Sequence, residues 1–533
     1  MLTSIIQNNL VGYINFSKDI YYNMVQFFKI KNVEITQKHK VFIFFINLDY
    51  LMLRTLLVWL PYPENDQWDF GILGKSAKKL WTVGRPLGVC YVAGAIREAG
   101  HHVEIIDAIA QNVTATSFEE FLKNENFDFI GLSGTTSAFE DIIETSKIIK
   151  KIHPKTPVAI GGAHVVSMTR INQEKHLFSP HGTIDYAIDG EGEITIVELL
   201  KSIERQKSGE KVDFSKINGM VFKENGEIIK NLPREVISDL DTIPFPALDL
   251  LKKGEYRRSP SSYKKQPDYP IMTSRGCPYN CVFCSKIFGR KVRWRSIDNV
   301  VKELKHLKNI GAKEIRFWDE TFTVDKDYVI NLCKKMIDEK FDLPWTCYGH
   351  VNTINEEILY WMKKAGCWEI DFGIESGNDR VLKEISKGFT TEQALRDIKL
   401  VRKMGIEART FFMLNLPGDN KESVMDTINF ALKAKPDYAT FYITQVYPGT
   451  RLFDLVCSRD NLDPIEVINK MIKEKVVYYE LPDLSFDELV ELTKLAHRKF
   501  YRRPSYILGR LLKIRSIDDI KRYLSAGMAV FRI

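Results

Sequence analysis

Two long stretches of the chain share one rhythm: a short apolar run, a polar break, then a segment with apolar residues every three or four positions. The first opens with RTLLVWLPYP (Arg54–Pro63) and the helical pattern LGVCYVAGAIREAG, and continues through HVEIIDA, FDFIGLSGTTSAF, TPVAIGGAHV and IDYAIDGEGE. Short buried runs alternating with helical spacing predict strand–helix–strand units. Glycines and small hydroxyl residues end the runs, so the prediction is a doubly wound, Rossmann-like sheet with a ligand crevice at the strand carboxyl ends. No G-x-G-x-x-G follows the first run, which leaves a nicotinamide cofactor unsupported.

The second stretch runs YPIMTS, EIRFWDETF, WTCYGHV, EIDFGIESG, ARTFFMLNLPG and YATFYITQVYPGT. Helical patterns such as VVKELKHLKNIGA, EEILYWMKKAG and TEQALRDIKLVRKMG separate these six runs. This predicts βα units around a second parallel sheet. Between the stretches, INGMVFKENGEIIKN reads as a hairpin turning at Asn225-Gly226, and LDTIPFPALDLL as a proline-spaced connector. The organisation expected is an extension over residues 1–51, an α/β domain over 52–205, hairpin and linker over 206–267, a second domain over 268–460 and a C-terminal helical region over 461–533.

Residues 1–51 carry no motif, and the first domain's pattern begins at MLRTLLVW, which makes Met52 an alternative start. The run VFIFFINLDYLMLRTLLVWL is apolar but broken by Asn47, Asp49 and Arg54, and it overlaps the first strand, so it reads against a transmembrane span. No signal peptide with a cleavage site is evident. Near the other end, Tyr, Leu and Ile interleave with Arg and Lys after His497. This reads as a helix packed on the second domain with a solvated basic face, with peripheral membrane contact as the alternative. A net charge of +7 over 533 residues does not call for nucleic acid.

Eight cysteines in a chain of this length are too few for a disulfide scaffold. Cys90, Cys333, Cys347, Cys367 and Cys457 are scattered singly, as packing residues are, but three stand together in SRGCPYNCVFC: Cys277, Cys281 and Cys284. Zinc prefers paired C-x2-C knuckles and four ligands. Three thiolates on a short loop suit a [4Fe–4S] cube with one iron left open.

At these residues the chain resembles the radical S-adenosylmethionine (SAM) enzymes, in which C-x3-C-x2-C follows the first strand of a partial (β/α)6 barrel. The resemblance implies that Cys277, Cys281 and Cys284 hold the cluster and that its open iron chelates SAM, whose reductive cleavage gives a 5'-deoxyadenosyl radical. By position it places Phe283 beside the adenine, Asp319 and Glu320 near the amino group, and Gly373, Glu375 and Ser376 near the ribose or methionine. Arg409, with Asn415 and Gly418, marks the fifth strand, and Tyr447 the adenine side. It also implies an external reductant such as ferredoxin or flavodoxin, and an oxygen-labile cluster makes the cytoplasm the natural compartment.

The first domain resembles the cobalamin-binding domain that precedes the barrel in one radical SAM subgroup, which includes methylases of unactivated carbon and phosphorus and the anaerobic magnesium-protoporphyrin monomethyl ester cyclase. Carried over by position, Ser133, Gly134, Thr135 and Thr136 lie beside the corrin, and Gly161, Gly162 and Ala163 near its nucleotide tail. Gly190-Glu191-Gly192-Glu193 begins the last helix. The D-x-H-x-x-G motif does not occur, so no histidine on cobalt is expected, and His101, His102 and His164 read as surface or hydrogen-bonded loop residues. The function implied is cobalamin-dependent methylation of an unactivated carbon in a small or lipid-like substrate, with oxidative cyclisation as the alternative. Trp318, Phe322, Tyr348 and Phe412 hint at an apolar substrate. A tRNA methylthiotransferase would need three more cysteines before the barrel, where only Cys90 stands. A non-catalytic electron carrier would not need the series of polar strand ends.

Overall fold

The computed structural model describes residues 52–63, 83–178, 182–252, 256, 258–474, 479 and 481–514. The extension and its alternative start therefore lie outside the described residues, save Met52 itself. Leu53 onward forms one compact unit.

The first apolar run becomes the strand β1 (Arg54–Trp59), whose four central residues are buried. It lies between β2 (His102–Asp107) and β3 (Phe129–Ser133), and the sheet continues through β4 (Val158–Gly161) and β5 (Tyr186–Ile188), all parallel. The order β2-β1-β3-β4-β5 reverses direction beside β1, which opens a crevice at the carboxyl ends of β1 and β3. The predicted hairpin forms as β6 (Met220–Glu224) and β7 (Glu227–Lys230). Its turn residues Asn225 and Gly226 have φ of 51° and 87°, as a primed two-residue turn requires. The hairpin is not a linker, however: β6 pairs antiparallel with β5 and extends this sheet to seven strands, so the first domain runs past residue 205.

The second sheet contains β8 (Asp268–Ile271), β11 (Glu314–Phe317), β12 (Trp345–Gly349), β13 (Cys367–Glu375), β14 (Glu407–Leu414) and β15 (Tyr438–Ile443), parallel and in chain order. The two edges, β8 and β15, do not pair with each other, so the barrel is partial. Between β8 and β11 sits a separate two-stranded piece, β9 (Ser274–Arg275) with β10 (Arg293–Trp294). Capped amphipathic helices cover the outside: Ser296 caps Ile297–Asn309, and capping boxes start Thr391–Lys403 and Lys421–Ala434. Along β14 the faces alternate. Phe412 packs outward against Phe441 (5.1 Å) and Phe430 (6.2 Å), while Arg409 faces the interior with Glu369 and Asp371.

The C-terminal helices do more than present a basic face. Pro464–Glu474 buries Val467, Ile468, Met471 and Ile472 in a core shared with Val58, Leu132, Phe139 and Val165 of the first domain. Phe486–Tyr501 packs on β15, where the Tyr501 hydroxyl meets Ala439 O at 2.7 Å. In Pro504–Leu511, Arg510 is 9 % exposed, pairs with Glu407 and Asp437, and stacks 4.2 Å over Tyr438. That cation closes the lower end of the sheet instead of facing solvent. Among the described residues no helix is long and apolar enough to cross a membrane.

Candidate functional site

β8 delivers the chain to the cysteine loop, and Asp319, just past β11, fixes the delivery point. Its Oδ1 accepts from Thr273 N (3.0 Å), Thr273 Oγ1 (2.7 Å), Ser274 N (2.5 Å) and Ser274 Oγ (2.6 Å). Burial pushes its pKa above the usual carboxylate range against the pull of these bonds, and its Oδ2 has no partner. Gly276 then turns the chain at φ +103°, and a Cβ there would sit 2.3 Å from Lys291 O, so only glycine fits.

The loop closes on itself through Cys277 N to Gly289 O (3.1 Å) and Cys284 N to Cys281 O (3.3 Å). Val282 N donates to Ile385 O (3.2 Å), and Leu452 N to Val282 O (2.9 Å), which ties the YPGT turn to the loop. All three thiols are free, Cys281 buried, Cys277 half-buried and Cys284 exposed. Among the described residues no three His, Cys, Asp or Glu side chains converge on a single ion. A cube makes no such demand, because each thiolate takes its own iron. The donor set therefore fits a [4Fe–4S] cluster.

Beside the loop stands a residue that sequence reasoning missed. Lys387 Nζ lies 3.0 Å from Glu375 Oε1, and both side chains are buried. Burial works against the ammonium charge, but Glu375 and the nearby Cys281 and Cys284 outweigh it and raise its pKa. Its reach extends over Phe283, 5.7 Å to the ring centre. Glu375 is brought there by an irregularity in β13 and a φ of 69°, and Gly373 leaves the room: a Cβ there would lie 2.2 Å from Glu375 Oε1. No local pattern in EISKG marks Lys387. The same side of the loop has Tyr279 stacked on His350 at 3.5 Å, with burial and then Lys387 driving His350 down to about 3.

The expected SAM residues divide. Phe283, Asp319, Glu320, Gly373 and Glu375 gather around the cysteine loop, and Glu320 accepts from the Gly276 amide while its Oε2 stays buried and unpartnered. Ser376 is fully buried and bonds Asn378 N (3.2 Å) and Thr427 Oγ1 (3.3 Å), so it holds a turn. Arg409 sits near the amino end of β14, bonded to Glu369 (2.9 Å) and Ser261 O (2.5 Å), away from the carboxyl ends. Tyr447 is exposed and donates to Gln445 Oε1 at 2.5 Å. The aromatic set divides as well. Phe322 packs on Phe317 (4.6 Å) and, like Phe412, belongs to the core. Trp318 and Tyr348 stay half-buried; the Trp318 Nε1 is unpartnered, and Arg316 donates to the Tyr348 hydroxyl (3.2 Å).

In the first domain, Ser133 and Gly161 are paired at the carboxyl ends of β3 and β4, and Gly134–Thr136 and Gly162–Ala163 follow them, so both segments meet at the crevice. Gly162 is glycine for a local reason: its φ is +101°, and a Cβ would press on Ser133 Oγ at 2.9 Å. Gly134 is filled in the same way by Ala138, 3.0 Å from its Cβ position. Gly161 is different, because the nearest atom to a Cβ there is Ile188 O at 4.0 Å, and Gly190 has nothing within 4 Å. A Cβ would thus meet open space at Gly161 and at Gly190, although Gly190, like Gly162, also has a positive φ (+76°) that favours glycine by itself. Thr135 bonds Ser137 (3.0 Å) and Thr136 faces His164 Nδ1 (3.3 Å). His164 is not a surface residue: it is 1 % exposed, held neutral by burial that drives it down to about 3, and lies against Phe139 at 4.3 Å. His101 is buried too, accepting from Leu53 N at 3.4 Å, while His102 is exposed.

Comparison with known proteins gives both halves a family. The radical SAM superfamily matches residues 271–431, and the B12 binding domain matches residues 78–200. An uncharacterized methyltransferase of Pyrococcus horikoshii is 35 % identical over 430 residues, 80 % of this chain and 90 % of that protein. The cytidylyl-2-hydroxyethylphosphonate methyltransferase of Streptomyces wedmorensis is 27 % identical over 78 % of this chain and 86 % of its own. In fold, the cobalamin-dependent SAM radical enzyme OxsB with aqua-cobalamin bound superposes with a TM-score of 0.67 over 91 % of this chain and 72 % of its own, at 17 % identity. The chain therefore belongs to the radical SAM superfamily, with a B12-binding domain ahead of its barrel, and is an enzyme whose cofactors are a [4Fe–4S] cluster, SAM and cobalamin.

Proposed function

We propose that this protein is a cobalamin-dependent radical SAM methyltransferase acting on an unactivated carbon of a small polar molecule. The observation that carries the reading is the 35 % identity, over 80 % of this chain, with a protein described as an uncharacterized methyltransferase. Three free thiols on one loop beside a buried lysine support it.

In this reading Cys277, Cys281 and Cys284 hold the cluster; burial raises the Cys281 and Cys284 thiols above the free value, and the Lys387 charge pulls Cys281 back toward its thiolate. Asp319 fixes the strand that delivers the loop, and the unpartnered oxygens of Asp319 and Glu320 are acceptors for a cationic amino group. Gly161 and Gly190 leave the corrin side open. The chemistry that these groups supply when bound is reductive cleavage of SAM and methyl transfer. A polar substrate is favoured over a lipid-like one because the interior of the sheet presents Arg316, Asp371 and Tyr348, while Phe322 and Phe412 are spent on packing. Arg316 Nη1 is buried without a partner. A reductant of the ferredoxin or flavodoxin class and a cytoplasmic setting complete the proposal.

Anaerobically reconstituted protein is expected to hold one [4Fe–4S] cluster and to release 5'-deoxyadenosine from SAM on reduction. The Cys277→Ala/Cys281→Ala/Cys284→Ala variant should lose both. Full iron content and SAM cleavage in that variant would refute the cluster assignment.

A further inference from the structure

Both ends of the cysteine loop are gripped by the other domain. Arg275, one residue before the Gly276 turn, reaches Glu193 Oε1 at 2.5 Å and Glu191 Oε1 at 3.3 Å. Its strand partner Arg293 meets Glu191 in two parallel bonds of 2.8 and 2.9 Å. Glu191 also accepts from Ile237 N at 2.8 Å. All four side chains are nearly excluded from water, between 4 % and 8 % exposed. Tyr91 and Phe288 cover the Arg275 guanidinium at 5.1 and 5.0 Å. At the other end, just past Cys284, Arg170 donates to Lys286 O (2.8 Å) and Ile287 O (3.3 Å), and also to Ser285 O.

Buried ion pairs gain little net stability over apolar residues of the same size, and their best-attested use is to fix register. The register fixed here is that of the loop against the crevice. Arg170 ends the helix that begins at Ala163, two residues after Gly161, and Glu191 follows Gly190. The residues that grip the loop are thus continuous with the segments that line the crevice.

We propose that Glu191, Glu193 and Arg170 are positioning residues through which the B12-binding domain sets the cluster loop, so that filling the crevice orders the loop. This rests on the reading that the crevice takes cobalamin. Linkage makes the effect reciprocal: a corrinoid that orders the loop is bound more tightly when the loop is ordered by its cluster.

Hydrogen–deuterium exchange on the full, cluster-free chain tests this, with hydroxocobalamin as the probe. In the wild type, the probe should slow exchange both at residues 133–136 and 161–163 and at residues 276–292, the latter at least about fivefold, the low end of ordinary site-to-site coupling. In Glu191→Gln/Glu193→Gln the first effect should persist and the second vanish. Because that variant leaves buried arginines unpaired, Arg170→Gln, at an exposed contact, serves as a second variant and should lose protection at residues 285–287. Wild-type protection confined to the crevice, or both variants transmitting it fully, would overturn the proposal. Absence of hydroxocobalamin binding to the wild type would instead overturn the cobalamin reading. The grip would then stand or fall on whether Glu191→Gln/Glu193→Gln speeds exchange at residues 276–292 without any ligand.

Discussion

At the ends of β3, β4 and β5 the chain lays down Ser133-Gly134, Gly161-Gly162 and Gly190, whereas after β8, β11 and β13 it places Cys277, Asp319 with Glu320, and Glu375. The first sheet makes its site from backbone and open space. The second makes its site from titratable side chains: Glu375 is held against burial by Lys387, Asp319 by the Thr273 and Ser274 donors and Glu320 by the Gly276 amide. Removing Lys387 therefore strands Glu375, while adding a methyl group to the first set costs stability only where no room exists or φ is positive.

Lys387→Met should show the largest effect. It leaves the Glu375 carboxylate buried without its cation, and breaking such a pair costs about 3–5 kcal/mol. Urea denaturation of the cluster-free protein reads this loss, and Lys387→Met/Glu375→Gln should recover most of it without restoring SAM cleavage. An unchanged midpoint for the single variant would break the contrast between the two sheets.

Next is a pH effect at the lower end of the second sheet. Glu314 is buried beneath the Lys264 and Lys265 amides, and burial pushes it up to about 7 from 4.5. The folded state then holds a proton that the unfolded state has lost, so the contribution of Glu314 to stability should fall as pH rises from about 4.5 to about 7 and level off above, by about 3 kcal/mol. Asp107 in the first sheet, pushed up to about 6, adds the same sign over a narrower window. Denaturation curves across this range should be flatter for Glu314→Gln, and an identical slope would exclude Glu314 as the source.

The smallest effects sharpen the comparison inside the crevice. Gly162→Ala meets a positive φ and Ser133 and should cost about 1–2 kcal/mol, whereas Gly161→Ala should leave stability within about 0.5 kcal/mol. Gly161→Ala should nonetheless weaken hydroxocobalamin binding, read by absorbance titration. Equal binding in that variant and the wild type would place the ligand away from Gly161.

What the sequence shows well is whatever is written locally. Each strand of both parallel sheets stands where an apolar run predicts it, the Asn225-Gly226 turn forms, and the three cysteines share a loop. Pairings between distant residues leave no such mark. Lys387 finds Glu375 only because β13 is irregular, and Arg510 finds Asp437 only because a C-terminal helix returns beneath β14 and β15. The hairpin's own turn is legible, but its docking on β5 depends on a sheet edge that no turn residue specifies. For Gly162, the family resemblance implies a place near a nucleotide tail, while the backbone angle supplies a sufficient reason for glycine of its own.

The helix Pro464–Glu474 gives the fold an order in time. It completes a hydrophobic core whose other contributors include Leu56, Ile130 and Val221, and the whole second sheet is encoded between those residues and Val467. A chain emerging from the ribosome thus presents the first domain with one apolar face uncovered until the barrel has been made. Domains fold as units during synthesis, and uncovered apolar surface is what chaperones bind and aggregates share. A chain truncated before Pro464 should accordingly leave that face of the first domain uncovered, and its soluble yield, compared with that of the full chain, reads the effect.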